Sequence, residues 1–246
     1  MGDAHYLSII STSTLASHIL GLGSVNYTDI EPIVPLVTEY IVFAVSVSSP
    51  IKNFKELSEK MKANPTVLSF AIGSGLGNPN HVAIAAALKA NGADVRRMKV
   101  VAFGGGKEAL MAVLGEHVDV LAVAGSILVE EVKARKLRAI AVAAPRRLDG
   151  AFNTIPTLKE QGVDLVFGFS RYIVAPKGVS NDQLAYWESV FASLIRSEEW
   201  KNALEKNNWN STYMTSSQTV KDLQTQYFAL RSVLTELELA KVQQGK

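Results

Sequence analysis
The chain has 246 residues, 48% of them hydrophobic and 20% charged, with a formal net charge of +2. Such a balance suits a globular chain with one large domain or two medium ones, and excludes a chain that is apolar throughout. The absence of cysteine excludes disulfides, thiolate metal sites and cysteine nucleophiles.

Met1-Gly2-Asp3 has neither the basic start nor the apolar core of a signal peptide, and no apolar run reaches the length of a bilayer span. The basic pairs Arg96-Arg97 and Arg146-Arg147 are short and lack interleaved aromatics, which argues against nucleic acid as a partner. The first predicted strand is Tyr6 to Ile10, ending in the hydroxyl cluster Ser11-Thr12-Ser13-Thr14, and a second covers 41–47. Asn53 then caps a helix to about Ala63, with Phe54, Leu57 and Met61 on one face, and Asn64-Pro65 stops it.

Strand 67–72 leads into the glycine turn Gly73-Ser74-Gly75-Leu76-Gly77. Asn78 is placed to cap the next helix, Pro79 to occupy its first position and Gly92 to follow its end. The unit recurs as strand 99–103, Gly104-Gly105-Gly106, helix 107–114 and Gly115. A third round runs through strand 118–123, the turn Ala124-Gly125-Ser126 and a helix ending in Lys133, Arg135 and Lys136; strand 137–143 follows. This alternation predicts an α/β fold with mostly parallel sheets and helices on both faces. After Pro176 the pattern is nearly all helix. Ser180 with Gln183 and Thr215 with Gln218 fit capping boxes, and Val220, Leu223, Tyr227, Leu230, Leu234 and Leu237 form one stripe of the last helix.

The glycine turns fail as nucleotide loops. Gly104-Gly105-Gly106-Lys107 is followed by Glu108 and lacks the first P-loop glycine, and the glycines at 73, 75 and 77 miss the dinucleotide spacing. A cradle for a small anion needs less, because amides at a helix start carry partial positive charge and glycine lets a ligand approach the backbone. One such turn reads most simply as a corner. Three together at one sheet edge point to an anion cradle. The four histidines show no metal-ligand spacing, no serine lies in a nucleophile elbow, and no catalytic group stands out. His81, in the first turn of its helix, fits either a donor to a carboxylate or a structural histidine. Arg171 interrupts the apolar stretch "LVFGFSRYIVAP", where it either meets a carboxylate or points outward.

Several stretches in order, "NPNHVAIAAAL", "VAFGGGKEALMAVLGEHVDV", "KARKLRAIAVAAPRRL", "TIPTLKEQGVDLV" and "FSRYIVAPKGVS", resemble the substrate-binding proteins of tripartite tricarboxylate transporters, the TctC or Bug family. The resemblance covers essentially the whole chain. It implies a two-domain Venus flytrap of the type II periplasmic-binding-protein kind, with residues 1–44 plus 171–246 in one domain and 45–170 in the other. It also implies a periplasmic, non-enzymatic, monomeric protein without cofactor or metal, which hands a carboxylate from its cleft to membrane permease subunits.

The family's cleft positions match Ser11, Thr12 and Ser13; Gly73, Ser74, Gly75, Gly77, Asn78 and His81; Gly104, Gly105 and Gly106; Ala124, Gly125 and Ser126; and Arg171. The amino-acid-binding branch carries an aspartate after the strand that ends here at Val123. "LAVAGS" has no acid, so the implied ligand is a di- or tricarboxylate without an amine. The sequence departs from the family in having Gly104 where a lysine often follows the aromatic, and the family's signal peptide and first βα unit are expected upstream of Met1. Two other readings stay open on the residues: a flytrap sensor feeding a signalling partner, and a cytosolic α/β enzyme with an unrecognised site.

Overall fold
The computed structural model describes residues 3–241; Met1 and Gly2, part of the start considered above, lie outside them. In chain order the strands and α-helices are β1 (Ser8–Ser11), α1 (Thr12–Ile19), β2 (Ile30–Ser46), α2 (Phe54–Ala63), β3 (Ser69–Gly73), α3 (Pro79–Ala90), β4 (Lys99–Phe103) and α4 (Gly106–Leu114). There follow β5 (Val120–Ala124), α5 (Val129–Lys133), β6 (Leu137–Val142), β7 (Gly168–Pro176), α6 (Asn181–Leu194), α7 (Glu198–Asn207), β8 (Asn210–Ser211) and α8 (Ser216–Glu236). The chain divides into two compact units. One takes the chain up to Glu39, Phe169–Thr235 and the stretch from Leu239; the other takes Tyr40–Gly168 with Glu236–Glu238. Among the described residues, no helix is long and apolar enough to cross a membrane.

In the second unit the strand order is β6-β2-β5-β3-β4. β3 runs parallel to β4 and β5, as the βα pattern predicts, whereas β2 is antiparallel to both β5 and β6. β2 reaches this sheet as the continuation of a long strand and not after a crossover helix, so nothing obliges it to run parallel. Phe43 and Phe54 are fully buried and meet edge to face with ring centroids 5.0 Å apart. α2 begins where the sequence places it, because Asn53 Oδ1 accepts the Glu56 amide at 2.8 Å.

In the first unit β1 pairs antiparallel with β7, β7 lies beside β2, and β8 pairs with β2 at Val37 and Thr38. Two elements here differ from expectation. β2 starts at Ile30, well before 41, because Pro32 and Pro35 look like breaks in sequence while Ile33, Val34 and Val37 beside them are buried. The hydroxyl cluster, expected as a strand end, opens helix α1. Ser and Thr favour helices weakly, and here the burial of Leu15, Ala16 and Ile19 overrides that preference. α8 buries Thr219, Leu223, Tyr227, Leu230 and Leu234, while Val220 from the predicted stripe stays 38% exposed.

Candidate functional site
The parallel strands of the second unit end side by side, with Gly73 opposite Phe103 and Ala71 opposite Leu121. The turns at 73–78, 104–106 and 124–126 therefore leave one sheet edge, where ligands collect in α/β folds. They also touch each other. A Cβ at Gly73 would stand 2.6 Å from Gly106 N and 2.8 Å from Gly105 C, both backbone atoms, so only glycine permits this approach; one at Gly106 would stand 2.5 Å from Ile127 Cδ1, the end of a side chain that can turn aside.

The first turn is wound through left-handed residues, with φ of 66° at Ser74, 90° at Gly75 and 80° at Gly77. Asn78 holds both of its ends: Oδ1 accepts the His81 amide at 2.9 Å, and Nδ2 donates to Gly73 O. His81 is buried and its Nδ1 accepts the Gly77 amide at 3.0 Å, which leaves the ring proton on Nε2. Burial lowers its pKa to about 4, so the imidazole is neutral near pH 7 and adds no charge to the turn.

The backbone donors divide into used and available. Ser74 N–H donates to Phe103 O at 2.9 Å, Gly77 N–H to His81, and Gly104 N–H to Glu108 Oε2 at 3.0 Å. Among the described residues, no protein acceptor meets the amides of Gly75, Gly105 and Gly106. Gly105 and Gly106 open α4, whose first amides have no intrahelical partner, so an anion above them meets donors and the positive helix end together.

In the first unit, Ser11 and Arg171 are direct partners in the β1–β7 ladder. Thr12 is buried, and its hydroxyl donates to Gln226 Oε1 at 3.3 Å while accepting the Ser170 amide at 3.0 Å. The network continues. Gln226 Nε2 donates to Asp222 Oδ2 at 2.8 Å and to Tyr172 Oη, and Tyr172 Oη donates to Asp222 Oδ2 at 2.7 Å. Ser11 and Ser13 are only partly buried. Arg171 Nη1 donates to Glu39 Oε2 at 2.6 Å, and its guanidinium carbon lies 5.1 Å from the Phe169 ring centre and 5.6 Å from that of Trp209.

The structure thus gathers Gly73–His81, Gly104–Gly106 and Ala124–Ser126 in one unit, and Ser11–Ser13 with Arg171 in the other. Glu39, Asp222 and Gln226 have no place in the site read from the sequence, where Glu108 figures only as a departure from the P-loop pattern. Glu39 had a visible signal, a lone acid in the apolar stretch "PLVTEYIVFAV".

The family model described as "Tripartite tricarboxylate transporter family receptor" matches residues 7–239. A curated relative from Cupriavidus necator, the "UPF0065 protein in gbd 5'region", is 26% identical over 87% of this chain. The chain spans 64% of that relative's length. Among solved structures, a TctC solute-binding protein from Polaromonas superposes with a TM-score of 0.83 at 20% identity, covering 96% of this chain and 79% of that one. The malate-bound MatC protein of Rhodopseudomonas palustris gives 0.75 at 18% identity, over 94% of this chain and 80% of that one.

Proposed function
The chain belongs to the tripartite tricarboxylate transporter receptor family, and from that premise we propose that it is a periplasmic solute-binding protein for a small di- or tricarboxylate without an amino group. It delivers the ligand to the membrane permease subunits of a tripartite transporter, acts as a monomer, and has no catalytic role. The observation that carries this reading is the contact of three glycine turns at one sheet edge, where the amides of Gly75, Gly105 and Gly106 await an acceptor. Partial positive charge on fixed amides suits a carboxylate and leaves it free to depart. The third turn, Ala124-Gly125-Ser126, contains no acid to pair with an ammonium. A structural relative that binds malate supports the same ligand class.

The test is a calorimetric titration with malate, citrate and, as control, glutamate. Malate or citrate binding with glutamate silent is the expected result. Gly105 has an extended backbone and open space around its Cα, so Gly105→Val keeps the fold while its side chain shields the amides. Undiminished affinity in that variant defeats the amide cradle.

A further inference from the structure
Glu108 lies in the first turn of α4, and its Oε2 already accepts the Gly104 amide at 3.0 Å. Both carboxylate oxygens crowd Gly104: an added Cβ would meet Oε2 at 3.0 Å and Oε1 at 3.2 Å. The chain therefore seats a carboxylate of its own on an amide that a ligand carboxylate would seek. The charge within the three turns is also meagre. Residues 73–81, 104–108 and 124–126 contain Lys107, Glu108 and the neutral His81 as their titratable side chains. The two full charges cancel, so what these turns themselves offer an anion is amide dipoles, each a fraction of a charge. One carboxylate head can be held this way on Gly75, Gly105 and Gly106. A second head at the same edge would share the turn with Glu108, where like charges repel strongly over a few ångströms.

We infer that Glu108 is a specificity-determining residue that limits this edge to a single carboxylate head, so that the ligand is a dicarboxylate and not a tricarboxylate. This rests on the receptor reading above. Glu108 acts as a fixed competitor: it leaves room for one anionic group and penalises each further charge. Citrate carries one more negative charge than malate near neutral pH and bears the larger penalty.

The test compares malate and citrate on the wild-type chain and on Glu108→Gln, by calorimetry in a low-salt buffer free of divalent cations. Wild type is expected to favour malate. The variant should gain about tenfold in citrate affinity against about twofold for malate, as expected for removal of one nearby like charge. It should also melt slightly lower, because an acidic group is lost from a helix start. Opposite signs for citrate affinity and stability mark a specificity role, since a purely structural residue lowers both. Wild type that favours citrate, or affinities for the two ligands that move by the same factor, overturns the inference and leaves the receptor reading standing. Silence of both chains towards both ligands defeats the receptor reading, and the inference with it.

Discussion

Arg171 and Glu39 form a charge-assisted bond of 2.6 Å in which the acid is almost wholly buried, 4% exposed, while the arginine keeps 34% of its side chain in reach of water. The asymmetry decides what each truncation costs. Arg171→Ala takes the guanidinium away from a buried carboxylate and from two aromatic rings, for a loss of about 3 kcal/mol. Glu39→Gln leaves an amide that still accepts from an arginine able to reach solvent, for about 1 kcal/mol. Urea unfolding midpoints of the two variants check the order, and equal losses would contradict it.

Gly73 and Gly105 are both turn glycines, and they should respond oppositely to alanine. A methyl at Gly73 is driven into the backbone of Gly105 and Gly106, so Gly73→Ala should cost more than about 2 kcal/mol and spread the turns apart. Nothing lies within 4 Å of a Cβ at Gly105, and Gly105→Ala should stay within about 0.5 kcal/mol of wild type. Thermal denaturation of the pair measures the contrast.

His81 makes stability depend on pH in one direction. Its pKa falls from 6.5 unfolded to about 4 folded. Between those values the unfolded chain takes up a proton that the folded chain refuses, so stability is full above about pH 6.5 and is lost as the pH drops towards 4. Near pH 5 the loss is about 2 kcal/mol. His81→Gln offers an uncharged acceptor to the Gly77 amide and should abolish that part of the slope. Unfolding midpoints near pH 7.5 and pH 5, compared between wild type and variant, provide the measurement.

Thr12→Val keeps the shape of a buried side chain but removes its hydroxyl. The Ser170 amide and Gln226 Oε1 then lose their partner, at a cost of about 2 kcal/mol, whereas Thr12→Ser retains both bonds and should lose less than half of that. Hydrogen exchange at the Ser170 amide distinguishes the two, since only the valine variant leaves it without an acceptor.

What could be read from sequence was local. Helix α3 was legible at both ends because Asn78, Pro79 and Gly92 act within a turn of themselves. The capping boxes at Ser180–Gln183 and Thr215–Gln218 likewise form as spaced, each through a reciprocal pair of bonds. The contact among the three turns was not legible, because Gly73 meets Gly106, and Gly106 meets Ile127, only once the strands are in register. The same holds for Arg171. Its need for an acid followed from chemistry, but the choice of Glu39 depends on the pairing of β7 beside β2, which no short-range pattern encodes. Glu108 does not stand out as a site residue because, four residues past Gly104 in a helix, it resembles any solvated surface acid.

The chain of bonds from Asp222 to Thr12 has a direction. An ionised carboxylate can only accept, so Tyr172 and the Gln226 amide nitrogen must both point their protons at Asp222. That turns the Gln226 carbonyl towards Thr12, whose single proton must then follow, leaving its lone pairs for Ser170. A charge on α8 thus settles the orientation of a hydroxyl at the start of α1, and no alternative arrangement satisfies every partner. Thr12 has no proton left to donate to a visiting molecule. Whatever hydrogen bonds this corner donates outward fall to Ser11 and Ser13, on either side of a residue already spoken for.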